Sequence, residues 1–310
     1  MPELPEVQTT VTELNDQLVG LSIHGVWSSY DSKYYQGKRN IKDRDHFKRF
    51  KKETLNRTIV TINRIGKYIL IRLSGDLTIL IHMKMTGHLL YGRYRKAYRK
   101  EKEEKFADWI ALEEGPLKED PFNRFIRLVF TLSNGKHLVL SDARKFATVC
   151  FFDTDDPPKA VKRLGPDPLL KDFTFKVFLE ILPYHSQKPI KSVLLDQEVI
   201  AGIGNIYSDE ILWNSGIHPM STTGAIPQKA LFELYRSMKV ILRQGVRLGG
   251  DSVSDYRNPS GAKGNYHYHH KAYQNTGSSC SRRGCKGVIR RCVIGGRSTH
   301  FCDQHQILYK

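Results

Sequence analysis

From Pro5 onward the apolar residues Val7, Val11, Leu14 and Leu18 recur at steps of four, three and four, the stripe of an amphipathic helix. Pro5 suits its first turn, Glu6 its positive end and Gly20 its C-terminal cap. From Leu21 the pattern changes to short β-rich runs at 21–28, 57–64, 67–73, 77–83, 126–132, 136–141 and 147–152. Gly66, Ser74-Gly75-Asp76 and Ser133-Asn134-Gly135 punctuate these runs as hairpin turns. Strands of this number and length predict a sandwich or barrel with the first helix packed on it. Residues 93–105 interrupt them as a charged insertion, expected to be a solvated loop or surface helix. Residues 153–168 concentrate Pro, Asp and Gly and read as a linker. Beyond it, 190–195, 206–213 and 228–244 are apolar at helical spacing, whereas 249–279 is loop-like in its Gly, Ser, Asn and Tyr.

Charge adds a partner class. The 310 residues carry 49 Lys and Arg against 32 Asp and Glu, a net +17. Residues 33–52 hold +7 of this and residues 263–310 hold +8, so the rest of the chain is nearly balanced. Solubilising charge would be scattered more evenly; clustering suits a face that neutralises phosphates. The 33–52 share is expected in a loop of the β-domain. With 40% hydrophobic residues the chain is not a disordered basic tail. No apolar run reaches the roughly 20 residues that span a bilayer, and the first residues lack an apolar signal core. The expectation is a cytoplasmic, soluble protein with no membrane partner and a polyanionic one.

Cys150 stands alone, while Cys280, Cys285, Cys292 and Cys302 fall close together. The spacing Cys280-x4-Cys285-x16-Cys302-x2-His305 brackets a basic hairpin and fits a tetrahedral Cys3His zinc site. Cys292 is the rival fourth ligand.

The opening Met1-Pro2-Glu3-Leu4-Pro5-Glu6 suggests specific chemistry. Removal of Met1 would expose the secondary amine of Pro2. An α-amino group titrates at about 7.7–8.0, so a useful fraction is neutral near pH 7. A neutral amine can attack a sugar C1′ and form an iminium, dividing one hard cleavage into easier steps. Glu3 stands beside it to move protons. Taken alone, these residues read more simply as an ordinary helix start, and it is the other segments that reverse this.

The opening MPELPEV resembles the formamidopyrimidine-DNA glycosylase/endonuclease VIII family of base-excision repair enzymes, and Leu4 matches the formamidopyrimidine branch. The resemblance extends over essentially the whole chain. It implies an α+β architecture: an N-terminal helix plus β-sandwich domain at 1–152, a linker at 153–168, a helix-two-turns-helix domain at 169–271 and a C-terminal β-hairpin zinc finger at 272–310. It also implies that Pro2 is the Schiff-base nucleophile and Glu3 the general acid/base. Glu6, one helical turn on, is placed to orient substrate or the chain end and is counted with the DNA-binding residues.

Other segments carry the same resemblance. In Arg64-Ile65-Gly66-Lys67-Tyr68, Lys67 matches the family's turn lysine, implied to contact phosphate near the lesion and assist catalysis. In Ile81-His82-Met83-Lys84-Met85-Thr86-Gly87, Met85 would fill the space left by an extruded nucleotide, and His82 is counted with the DNA-contacting set. Ser141-Asp142-Ala143-Arg144-Lys145-Phe146 is similar to DPRRF, so Arg144 would read the orphaned base and Phe146 wedge the stack. Ala143 and Lys145 depart from that motif. The run Ala201-Gly202-Ile203-Gly204-Asn205-Ile206-Tyr207-Ser208-Asp209-Glu210 resembles the helix-two-turns-helix turn, with Asn205 on the flanking backbone and helix N–H groups free for phosphate. Gly296-Arg297-Ser298-Thr299-His300-Phe301 resembles the finger loop whose arginine, here Arg297, forks onto the target phosphates. Residues 249–266 correspond to the lesion-capping region.

The implied protein is a monomeric glycosylase/AP lyase with one structural Zn2+, acting on damaged double-stranded DNA. It would remove oxidised purines through a Pro2 Schiff base and β,δ-elimination. The alternatives are an enzyme preferring oxidised pyrimidines and a non-catalytic damaged-DNA-binding homologue.

Overall fold

The computed structural model describes residues 1–101 and 104–310. The chain forms two compact units. One comprises Met1–Pro2, Glu6–Lys159 and Gly249–Asn265; the other comprises Glu3–Pro5, Ala160–Leu248 and Tyr266–Lys310.

The first unit is a β-sandwich. Helix α1 (Leu4–Leu18) contributes its residues from Glu6 onward. Strands β1 (Ile23–Ser28), β2 (Ile59–Ile65), β3 (Tyr68–Leu73), β4 (Leu77–His82) and β5 (His88–Gly92) precede a hairpin of β6 (Tyr94–Glu101) and β7 (Glu104–Ala111). Strands β8 (Ile126–Leu132), β9 (His137–Ser141) and β10 (Thr148–Asp153) complete it. One antiparallel sheet has the order β1-β8-β9-β5 and the other β10-β4-β3-β2. Alternate residues meet in a core that includes Ile62, Ile71, Ile79, Leu89, Leu128, Phe130 and Leu140, capped by the Val7, Val11, Leu14 and Leu18 stripe of α1.

Two segments differ from the sequence expectation. Residues 93–105 are not a solvated loop or surface helix: β6 and β7 pair in register from Tyr94–Ala111 to Glu101–Glu104, with 102 and 103 outside the described residues. Tyr94, Trp109 and Ala111 cover the outer face of the first sheet at Leu90, Val129 and Val139. That cover explains why β5 and β9 are buried at every position. The basic stretch 33–52 is likewise not all loop. It contains α2 (Arg44–Thr54), where the Asp43 carboxylate accepts the His46 N–H at 2.7 Å as N-cap. His46, Phe50 and Thr54 form its buried face, leaving the lysines to solvent. A short helix α3 (Pro116–Glu119) precedes β8.

The second unit begins in α4 (Lys159–Lys162) and continues through α5 (Phe175–Ile181), α6 (Ile190–Leu195), α7 (Asn205–Ser215) and α8 (Gln228–Arg247). Leu4 joins their apolar core of Phe173, Phe178, Val193, Ile211, Leu234 and Leu242. Gly216, at φ 72, closes α7 in the left-handed conformation. The unit ends in a hairpin of β11 (Ile289–Ile294) and β12 (Arg297–Cys302). Among the described residues no helix is long and apolar enough to cross a membrane.

Candidate active site

Pro2 is buried in the first unit, and its chain neighbour Glu3 is assigned to the second. Glu3 is 3% exposed and sits at the head of α7. Its Oε2 accepts the N–H of Gly204 at 2.8 Å and of Tyr207 at 3.3 Å, and its Oε1 accepts that of Ile206 at 2.9 Å. Gly204 offers no side-chain cap, so this carboxylate replaces one. A Cβ on Gly204 would lie 2.5 Å from Glu3 Oε1. Glycine is therefore what lets the carboxylate reach the helix. The expectation of helix N–H groups open to phosphate is overturned at these three positions, because Glu3 occupies them. Gly202, at φ 96, turns the chain beneath Leu4, whose N–H donates to the Gly202 carbonyl at 3.0 Å.

Asn205 begins α7, with its Oδ1 buried and without a hydrogen-bond partner. On the same helix Asp209 is buried against Lys191 of α6, Oδ1 to Nζ at 2.5 Å, both side chains fully enclosed. Burial pulls the Lys191 ammonium below its ordinary value, and the Asp209 carboxylate opposes that shift. Lys191 Nζ also donates to the Ser298 carbonyl at 3.1 Å, while Asp209 Oδ2 accepts the His300 N–H at 2.9 Å. This cluster joins α6 and α7 to β12, which begins at Arg297. Arg297 itself is exposed, beyond a turn in which Gly295 and Gly296 both have positive φ, 54 and 72.

The structure brings Cys280, Cys285, Cys302 and His305 together, with their ligand atoms within 4.8 Å of one another. Their chemistry fits one tetrahedral metal. His305 Nε2 donates to the Trp213 carbonyl at 2.9 Å, which leaves Nδ1 as an acceptor, 3.3 Å from Cys280 Sγ and turned toward the other three ligand atoms. The Gly287 N–H supports Cys285 Sγ at 3.3 Å. Cys292 stands apart on β11, opposite Thr299.

In the first unit Lys67 occupies the turn between β2 and β3 but is not solvated surface, at 6% exposure. His82 lies nearby and stacks edge-on against Tyr68, with ring centroids 4.7 Å apart. Burial, reinforced by Lys84 and Lys67, lowers its pKa to about 3, so the ring is neutral at physiological pH. Its Nδ1 accepts the Lys84 N–H at 3.0 Å. Lys84 has φ 56 and Lys145 has φ 57, left-handed conformations directly before Met85 and Phe146. Met85 and Phe146 are exposed apolar side chains, and the Arg144 guanidinium lies over the Phe146 ring at 4.5 Å. Glu6 is 1% exposed and its Oε1 accepts the Asp251 N–H at 2.7 Å. Tyr256 Oη, Arg257 with Asp120, and Asn123 with the Gly261 carbonyl also fasten 249–265 to the sandwich.

The family described as the formamidopyrimidine-DNA glycosylase N-terminal domain matches residues 1–149, and the one described as its H2TH domain matches 164–257. A formamidopyrimidine-DNA glycosylase of Herpetosiphon aurantiacus is 35% identical over 302 residues, 97% of this chain and 98% of that protein. The chain belongs to the formamidopyrimidine-DNA glycosylase family. A solved complex of a Lactococcus lactis member, Fpg, with DNA containing an abasic site superposes with a TM-score of 0.78. It is 31% identical, covering 98% of this chain and 99% of that one. A solved structure of the Thermus thermophilus MutM (Fpg) protein gives a TM-score of 0.76 at 30% identity, with 98% of both chains covered.

Several residues around these family positions escaped the sequence reading. Lys191, Asp209 and His300 lie on three separate segments, and their contact shows only once the fold joins them. Glu210, 1% exposed, accepts the N–H groups of Lys271, Ala272 and Tyr273 at 2.8–2.9 Å and so anchors the approach to the finger. An acidic pair within a run of apolar helix residues was the available hint.

Proposed function

We propose that this chain is a base-excision DNA glycosylase with associated AP-lyase activity, acting on oxidised purines such as 8-oxoguanine and formamidopyrimidines in duplex DNA. The observation that carries the reading is full-length membership in the family with the Met-Pro-Glu start retained. In one relative, from Lactococcus lactis, a variant is solved with DNA containing Fapy-dG. Once Met1 is removed, the Pro2 amine attacks C1′, the N-glycosidic bond breaks and the base departs with a proton. The resulting iminium then loses the 3′ and 5′ phosphates by successive β- and δ-elimination. Glu3, held by the α7 head, exchanges protons with the opening sugar. Lys67 and Arg297 bind the phosphates of the target nucleotide, Arg297 as a fork. Asn205 contacts the flanking backbone and His82 the DNA beside Lys67. Met85, Arg144 and Phe146 occupy and probe the vacated stack. Glu6 orients the 249–265 segment over the lesion.

One structural zinc ion bound by Cys280, Cys285, Cys302 and His305 would fasten the segments flanking the β11–β12 hairpin to one another within the second unit. The functional modules we assign are the sandwich at 1–152, a linker at 153–168, the helix-two-turns-helix at 169–271 and the finger at 272–310. The protein acts as a cytoplasmic monomer, with damaged duplex as its partner. The substrate class is tested by comparing release of 8-oxoguanine opposite dC with excision of thymine glycol from matched duplexes. Faster 8-oxoguanine release supports the reading; faster thymine glycol excision makes this an oxidised-pyrimidine enzyme.

A further inference from the structure

Two turns of the first unit carry the residues assigned to the duplex. Residues 83–87 present Met85, and residues 142–147 present Arg144 and Phe146. Far apart in sequence, both turns close on one carboxylate. Asp142 is fully buried. Its Oδ1 accepts the Thr86 hydroxyl at 2.5 Å, and its Oδ2 accepts the Ala147 N–H at 2.8 Å and the Tyr30 hydroxyl at 2.7 Å. Thr86 Oγ1 in turn accepts the Arg144 N–H at 3.1 Å. The carboxylate therefore grips the end of the first turn and both ends of the second.

The backbone of each turn requires such support. Lys84 and Lys145 are left-handed without being glycine, which persists only where the surroundings over-determine it. The Gly87 N–H donates to the Met83 carbonyl at 3.1 Å, and a Cβ on Gly87 would come within 2.5 Å of that same oxygen. Arg127 Nε donates to the Asp142 carbonyl at 3.1 Å, bracing the other side. Tyr30 remains a donor, because burial and the Asp142 charge hold its phenol well above the ordinary range.

We infer that Asp142 and Thr86 are positioning residues that join the two turns into one preformed probe, coupling entry of Met85 to reading of the opposite base by Arg144. This rests on the duplex-entering roles proposed for Met85, Arg144 and Phe146. Its consequence is that opposite-base discrimination depends on a threonine hydroxyl that does not itself meet DNA. A carboxylate that merely braced the fold would instead affect all substrates alike.

The test uses the full-length protein and single-turnover excision of 8-oxoguanine opposite dC and opposite dA. Thr86→Val removes the hydroxyl at constant shape, and the dC-to-dA rate ratio should fall about tenfold, the scale of one hydrogen bond to a charge. Thr86→Ser restores the hydroxyl and should keep the ratio. Tyr30→Phe, which leaves Oδ2 with one donor fewer, should lower it in the same direction and serves if Thr86→Val does not fold. An unchanged ratio in Thr86→Val (or in Tyr30→Phe where Thr86→Val does not fold), including an equal fall in rate opposite both bases, overturns the coupling. The control is Arg144→Ala. An unchanged ratio there overturns the reading role of Arg144 and this inference with it, whereas a lowered ratio there and none in Thr86→Val overturns the coupling alone.

Discussion

Gly204→Ala isolates the placement of the proposed acid/base. Gly204 has φ −130, an extended conformation open to alanine, so the backbone imposes no penalty of its own. The added methyl would stand 2.5 Å from Glu3 Oε1 and 2.8 Å from its Cγ, where ordinary contact begins near 3.4 Å. The carboxylate must therefore retreat by about 1 Å, a misplacement that costs on the order of 100-fold in rate. It also loses alignment with the N–H groups of Gly204, Ile206 and Tyr207, with a stability loss of about 1–3 kcal/mol. Single-turnover release of 8-oxoguanine measures the first effect and urea unfolding the second. If both substitutions act through the same carboxylate, Gly204→Ala combined with Glu3→Gln should be no slower than Glu3→Gln alone. A Gly204→Ala enzyme within twofold of the parent rate, or full additivity in the pair, would refute the idea that this glycine positions Glu3.

Lys191→Met should destabilise the protein by about 3–5 kcal/mol in urea unfolding, since it leaves the fully enclosed Asp209 carboxylate without its lysine counter-charge, held on Oδ2 by His300 alone; a change under about 1 kcal/mol would contradict that. Arg297→Lys keeps the charge but loses the fork, and should lower kcat/KM about tenfold or more while leaving the fold intact, as read by circular dichroism. Chelation or Cys280→Ser should release one equivalent of zinc by metal analysis and weaken duplex binding; undiminished binding by the metal-free protein would sink the finger's role. His82 and His88 have pKa values lowered by burial to about 3 and about 4, below the ordinary 6.5, so their neutral forms favour the fold. That stability is complete above about pH 6.5 and is lost as pH falls toward those values, on the order of 2 kcal/mol per group by pH 4.5. His82→Gln should flatten the stability–pH profile across this window in urea titrations.

Much of the site could be read from local sequence because its parts are local. The α1 stripe, the strand alternation and the 202–205 turn each depend on neighbours within a few residues. The Cys280, Cys285, Cys302 and His305 set was likewise visible as two spaced pairs. What was not legible depends on distant partners. The charged run at 33–52 concealed Phe47 and Phe50 at helical spacing behind an Asp43 cap. The 93–105 insertion looked solvated because nothing nearby shows that Tyr94 and Trp109 cover Leu90 and Val139. Free helix N–H groups at Asn205 were expected, yet the residue that fills them, Glu3, lies some 200 positions earlier. Asp142 and Thr86 meet across more than 50 residues, so neither motif alone reveals the bond between them.

The central claim is that the Pro2 amine is the nucleophile. Protein with Met1 removed, incubated with 8-oxoguanine duplex and borohydride, should form a stable one-to-one protein–DNA adduct that peptide mass spectrometry maps to the Pro2 nitrogen. Protein retaining Met1 should form none. An adduct at Lys67 or another lysine, or equal trapping with Met1 in place, would contradict the account.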